Sequence, residues 1–332
     1  MRAATAAAVA AASLGCAGLA GAPAVVSDGR YAMGTVLEIT LVVDDAARGR
    51  ALLDDLFRHV AEIEGELSTF VPGSAVSALN ARAGAPPAPV PPALEEALRA
   101  ARTAARETGG AFDVSVGPLL AIWREAARAD RLPDPEALRV ARERVGGEGL
   151  VVTDDGRAGL ARPGMAVDLG GLGKGFALDR VAPRLEDPDV RGALLSFGGS
   201  SFLARGRPPG GDAWRLLLRG GDGAPLGTVA LRDTALSVSE SLGQWSTIQG
   251  ERYGHVVDPR TGQALREGVL AVVASTSATR AEVWSTALLV LGAPGLAHLE
   301  APGEGRGLLL DEDGKLYESQ GFRDQTGFAP QP

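Results

Sequence analysis

Beyond Met33 the apolar positions Val36, Leu37, Ile39, Leu41 and Val43 alternate closely enough with polar ones to predict a strand entered through Gly34-Thr35. The period then changes. Residues 46–66 repeat apolar side chains every 3.6 positions and predict an amphipathic helix, so a strand and a helix open the domain. Residues 84–92 are rich in Pro and Ala and interrupt the pattern, and Pro91 marks the start of a second helix running to about Thr108. Ala111-Phe112-Asp113 then lies at a helix exit. A short helix is expected over 133–145, followed by a hairpin over 150–167 that turns at Asp154-Asp155-Gly156.

A strand ending at Asp168 is expected to lead through a glycine-rich turn, Gly170 to Gly175, into a helix that stops near Leu185. Residues 192–203 and 214–218 read as buried strands, with loops at 206–211 and 220–223. A strand over 271–275 and a helix over 279–291 come next, and the polar, Pro-containing residues 321–332 predict a frayed tail. No internal repeat or heptad run is present.

The chain has 332 residues, 45% of them hydrophobic, enough for a substantial core. Its formal net charge is −8 and its basic residues are scattered, which removes the electrostatic footprint of a nucleic-acid binder. Residues 1–21 carry one charge, at Arg2, and then an apolar run from Ala3 to Leu14, the pattern of an export signal. That run is too short to span a bilayer core of roughly 30 Å. Ser13-Leu14-Gly15-Cys16 resembles a lipoprotein cleavage box, with Cys16 as the lipidated residue; the alternative is an ordinary cleavable signal in which the cysteine has no role. Cys16 is the only cysteine, so the mature domain, residues 22–320, has no internal disulfide.

Three segments carry candidate chemistry. The turn from Gly170 to Gly175 is neither a Walker loop, because Lys174 is followed by Gly175-Phe176, nor a dinucleotide fingerprint at the start of a βαβ unit. A glycine-rich helix entry with a lysine still suits a phosphate, since free amides and the helix dipole favour an anion; the alternative is a plain helix start with a solvated lysine. Glu282, Ser285 and Thr286 fall at i, i+3 and i+4 on one helix face and offer only hard oxygen ligands, as magnesium prefers. The same trio would also serve as a solvated first helical turn. His255-Val256-Val257-Asp258-Pro259-Arg260-Thr261-Gly262 places one of only 3 histidines beside a carboxylate and a turn-forming Pro/Gly pair. It reads either as ordinary turn chemistry or as an acid–base site.

Taken in order, Ala32-Met33-Gly34-Thr35, Leu67-Ser68-Thr69-Phe70 through Leu79-Asn80, Thr108 through Leu119, Val167 through Ala177 with Asp179, Gly198-Gly199, the His255 block and Ala281 through Leu288 resemble the ApbE family of FAD:protein FMN transferases. The likeness spans roughly residues 30 to 292. It implies an α+β fold, with mixed or antiparallel sheets flanked by helices in an architecture related to the T-fold. It also implies FAD as donor, a Mg²⁺ ion, and an acceptor flavoprotein of an extracytoplasmic redox system. By the same resemblance Met33, Phe70, Ala111, Phe112, Asp113, Asp168, Lys174 and His255 would contact FAD. Gly171, through its carbonyl, would join Glu282, Ser285 and Thr286 around the metal.

His255 is assigned as base or hydroxyl-orienting group, because an ordinary pKa near 6.5 suits proton transfer at neutral pH. Asp258 would orient it or share the role, which one sequence does not separate. The implied product is a protein carrying FMN in phosphoester linkage, with AMP released. An FAD hydrolase and a non-catalytic FAD-binding lipoprotein are the alternatives. The leader implies an extracytoplasmic, lipid-anchored location.

The chain departs from the family pattern in three places. Glu282 stands where Asp is usual, Glu240 stands where a glycine before an aromatic residue is usual, and Ser196 stands where Asn is usual. The first lengthens a metal-ligating side chain; the second adds bulk and charge near the expected flavin.

Overall fold

A computed structural model describes residues 23–221, 223–300 and 305–331. The proposed leader and Cys16 lie outside the described residues. Among the described residues no helix is long and apolar enough to cross a membrane.

The largest sheet among the described residues is an eight-stranded antiparallel meander in which spatial order follows chain order. Its strands are β1 (Ala24–Ala32), β2 (Thr35–Val43), β3 (Val190–Phe197), β4 (Ser201–Gly206), β5 (Thr234–Glu240), β6 (Leu270–Ser275), β7 (Gly305–Leu310) and β8 (Leu316–Glu318). The fold is α+β, as expected. Five helices frame the sheet and its loops: α1 (Ala46–Leu67), α2 (Pro92–Glu107), α3 (Gly117–Ala129), α4 (Gly173–Val181) and α5 (Ala278–Leu291).

Period-two alternation sends the two faces of the sheet to different cores. Leu37, Ile39 and Leu41 of β2, with Ala271 and Val273 of β6, pack under α1, α4 and α5. The intervening Val272 and Ala274, with Leu236 of β5 and Leu308 of β7, face a second core closed by the strands Trp214–Arg219 and Pro225–Leu231 and by Phe322 and Phe328. Helix α5 is buried on nearly every side, which accounts for its lack of a polar stripe.

Several local expectations need correction. β1 gives no sequence signal, because most of its residues are exposed at the sheet edge and it shows no apolar alternation. The span 192–203 is a hairpin rather than one strand: Gly198 and Gly199 take φ of 55° and 70°, a left-handed turn that glycine permits, and Phe197 pairs with Ser201. The hairpin expected over 150–167 pairs only Leu150–Val152 with Arg157–Leu160. Pro163-Gly164 ends the pairing, since proline lacks the ladder donor. Asp168 therefore lies in a loop, not at the end of a strand.

The tail is also not frayed. A short helix at Phe322–Thr326 and the pairing of Ala329 with Thr228 bind it to the second core, where Phe322 is 0% exposed and meets Phe328 edge-on at 5.8 Å. Truncating that ring should therefore cost what a core phenylalanine costs. Phe322→Ala is expected to lower unfolding free energy by about 3–5 kcal/mol in urea titration. A loss below about 1 kcal/mol would restore the frayed tail.

Candidate functional site

The glycine-rich loop is held from both sides before it enters α4. Asn80 accepts from the Val167 amide at 2.7 Å and donates to the Val167 carbonyl at 2.9 Å, while the Asp168 amide donates to the Val114 carbonyl at 2.8 Å. Asp168 Oδ1 then accepts from the Gly170 amide at 2.9 Å and its Oδ2 pairs with Arg124 at 3.2 Å. Arg124 in turn lies 5.9 Å from the ring of Phe70. Phe70 is 80% exposed, so a core role for it is excluded; it is an aromatic surface beside the loop.

Side chains from other segments pack closely on this loop. A Cβ on Gly171 would lie 3.0 Å from Phe112 and 3.8 Å from the Thr286 hydroxyl, and one on Gly173 would lie 3.2 Å from Met33 Cε. Met33 itself has φ of 49° in the two-residue turn Met33-Gly34 between β1 and β2, a left-handed conformation uncommon for methionine. Met33, Phe112, Gly171 and Thr286 are thus brought together. Ala111, Phe112 and Asp113 are buried, but Asp113 is a bracket: its Oδ1 accepts from the Ser115 amide and hydroxyl at 2.8 and 2.6 Å.

Helix α5 is locked to α4 by Asp179. That carboxylate accepts from Ser277 Oγ, the Ala278 and Thr279 amides and Thr279 Oγ1 at 2.6–2.9 Å, satisfying the free donors at the start of α5. Where the helices cross, a Cβ on Gly175 would lie 2.3 Å from the Ala278 carbonyl, so only glycine fits. One turn into α5, Glu282 is 3% exposed and both of its oxygens are engaged. Oε1 pairs with Lys174 Nζ at 2.5 Å and accepts from Ser201 Oγ at 3.4 Å; Oε2 accepts from the Gly175 amide at 2.6 Å. The anion at this glycine-rich helix entry is therefore the protein's own Glu282.

Ser285, also buried, bonds to Ser237 and Ser239 of β5 at 2.9 and 2.7 Å and donates to the Glu282 carbonyl at 3.0 Å. The Thr286 hydroxyl has no hydrogen-bond partner among the described residues and lies beside Gly171. Because Ser239 points at α5, alternation sends Glu240 to the opposite face of the sheet. There it lines a separate cleft of about 380 Å³ with Trp245, Arg252 and Asp311. The expected crowding of the site by Glu240 does not occur.

His255 follows a hairpin formed by Trp245–Ile248 and Glu251–Gly254. Its amide donates to the Gln244 carbonyl at 3.0 Å, and its Nδ1 lies 3.1 Å from the same oxygen. A carbonyl only accepts, so in the neutral ring Nδ1 carries the proton and Nε2 keeps the lone pair. The residue is exposed, yet the surrounding protein is dense enough to desolvate the imidazole and lower its pKa from 6.5. The Gln244 bond opposes that effect, while the nearby Lys174 ammonium adds to it.

Asp258 does not orient His255, contrary to expectation. Its two oxygens form a fork with Arg260 Nε and Nη2, each at 3.0 Å, and Oδ1 also accepts from the Arg260 amide. Arg260 overhangs Gly110, and Trp123 of α3 donates to the Gly262 carbonyl at 2.9 Å, so the block is pinned against the exit of α2. Arg124 and the Gln244 carbonyl carry no sequence signal; Asn80 and Asp179 sit inside the matched segments, and only the structure gives them a role.

The sequence profile of the ApbE family matches residues 33–307. The chain is 31% identical over 278 residues to the FAD:protein FMN transferase of Klebsiella pneumoniae, covering 81% of this chain and 79% of that one. It is 32% identical over 264 residues to that of Treponema pallidum, covering 74% and 73%. The apo crystal structure of the flavinyl transferase ApbE of Pseudomonas stutzeri superposes with a TM-score of 0.80 at 26% identity, covering 92% of this chain and 98% of that one. On sequence and fold together, this chain belongs to the ApbE family.

Proposed function

We propose that this protein transfers the FMN half of FAD to a Ser or Thr hydroxyl of an acceptor protein in the extracytoplasmic space, anchored there through lipid on Cys16. The observation that carries the reading is the pairing of Lys174 with Glu282 at the glycine-rich helix entry, with the Lys174 ammonium near enough to His255 to help lower its pKa. Family membership supports it, since relatives named FAD:protein FMN transferase match most of the chain.

In the reaction the acceptor oxygen forms a bond to the FMN-side phosphorus, the bridging P–O bond breaks, and AMP leaves. His255 Nε2 takes the hydroxyl proton, because the Gln244 carbonyl fixes the other ring nitrogen as the donor. The depressed pKa keeps that base neutral to lower pH than an ordinary histidine. Lys174 and the amides at the start of α4 would face the diphosphate; Met33, Phe112 and the exposed Phe70 would face the flavin nucleotide.

The residues at hand suit magnesium. Glu282, Ser285, Thr286 and the Gly171 carbonyl are all hard oxygen donors, Thr286 is unpartnered beside Gly171, and Glu282 already holds a cation in the form of the Lys174 ammonium. When bound there, the ion would offset charge that builds on the phosphoryl oxygens.

Purified protein incubated with FAD, Mg²⁺ and an acceptor is expected to add one FMN phosphoryl group to the acceptor by mass spectrometry. AMP should appear only when the acceptor is present. Release of AMP at the same rate without acceptor would indicate an FAD hydrolase instead.

His255→Ala is expected to cut transfer by about 10²–10⁴-fold while FAD still binds, and undiminished transfer would remove it as the base. In an NMR titration the His255 midpoint should fall below 6.5 and rise in Lys174→Ala, which removes a lowering charge. Since the folded-state pKa is the lower one, the stability this group contributes is present above pH 6.5 and declines as pH drops through the folded pKa. A midpoint above 6.5 would contradict the desolvated setting.

A further inference from the structure

Glu282 occupies the very donors that an incoming diphosphate needs. It binds the Lys174 ammonium at 2.5 Å and the Gly175 amide at 2.6 Å, the charged side chain and the free backbone donor of the helix entry. The two partners differ in freedom. Glu282 is 3% exposed and fixed in the crossing of α4 and α5, whereas the Lys174 side chain is 23% exposed and long enough to swing. Opening this pair therefore moves Lys174 and leaves a carboxylate buried without a counter-charge, which is strongly unfavourable unless another cation takes the place of the ammonium.

We infer that the Lys174–Glu282 ion pair is a gate, in which a divalent cation captured by Glu282 releases Lys174 to the diphosphate of FAD, so that metal and nucleotide can bind tightly only together. The inference rests on the proposed FAD and metal site. It concerns this chain in particular, since here the carboxylate of Glu282 meets both Lys174 and the Gly175 amide. The unpartnered Thr286 hydroxyl, beside Gly171 and one turn on from Glu282, supplies a further oxygen donor for an ion that displaces the ammonium.

The test is a set of FAD affinities measured by flavin fluorescence on the folded, full-length domain, once in chelator and once in Mg²⁺. In the unmodified protein Mg²⁺ should tighten FAD by about tenfold or more, and FAD should tighten Mg²⁺ by the same factor, as linkage requires. Glu282→Gln keeps the shape but gives up the charge that holds Lys174, so in chelator it should bind FAD about tenfold tighter than the unmodified protein and lose most of the response to Mg²⁺.

A field effect of removing one negative charge would produce the same gain, and Lys174 separates the two. On a Lys174→Ala background the gain from Glu282→Gln should vanish; a gain that persists there overturns the gate. Should the Gln variant fail to fold, Glu282→Asp keeps the charge and draws the carboxylate back by one methylene, so FAD should again tighten in chelator. Equal or weaker FAD binding in chelator by both variants also overturns the gate, with the transferase reading left intact. Absence of FAD binding by the unmodified protein under every condition overturns both.

Discussion

One buried carboxylate ties the site together. Glu282 reaches from α5 to the first turn of α4, and the two helices cross so tightly at Gly175 and Ala278 that no side chain larger than hydrogen fits between them. Asp179 also ties α4 to the start of α5, which it caps with four hydrogen bonds. Both helices lie on one face of the meander sheet, so β5 can supply Ser237 and Ser239 to Ser285 while its alternate residues fill the second core. The geometry of the glycine-rich loop is thus a consequence of helix packing, and the loop itself needs only to be small.

The His255 half is built differently. Its hairpin has two short strands with mostly exposed residues, and an isolated two-stranded ribbon is marginal in water. Stability is lent by α3: Trp123, nearly buried, donates to Gly262 and lies 5.1 Å from the Tyr253 ring. The ribbon before His255 is thus held to α3 by Trp123, by the buried Ile248 and by the Gln249 amide, which donates to Asp130 at 2.6 Å, whereas Lys174 lies where α4 and α5 cross.

Much of this arrangement is legible in the residues. Helices with an alternating burial pattern, α1 and α2, agree with their expected spans to within about two residues, because 3.6-residue periodicity and the Pro91 start are local signals. The matched segments also contain residues that the fold brings close: Lys174 pairs with Glu282, and Gly171 lies beside Phe112 and Thr286. What escapes the sequence is non-local. The edge strand β1 hides its pairing behind exposed side chains, the tail is ordered only by a core that other strands create, and Asp258 chooses Arg260 over His255 for reasons of turn geometry. The Gln244 carbonyl that fixes the imidazole is a backbone atom, and no residue type announces it.

Charge explains why composition is a poor guide to the site. A net charge of −8 argues against polyanionic partners, yet screening confines any one charge to roughly 8–10 Å at physiological salt. What an incoming diphosphate meets is local, and each cation at the site already has its own carboxylate: Lys174 with Glu282, Arg124 with Asp168, Arg260 with Asp258. These pairs keep the resting site nearly neutral and so avoid an unpaired buried carboxylate. The same neutrality means that bringing in a diphosphate adds negative charge with no free partner waiting. Either an existing pair must exchange partners or a further cation must arrive with the nucleotide. Of the three pairs, only Lys174–Glu282 joins a nearly buried carboxylate to a side chain free to swing at the helix entry, so the exchange is concentrated there.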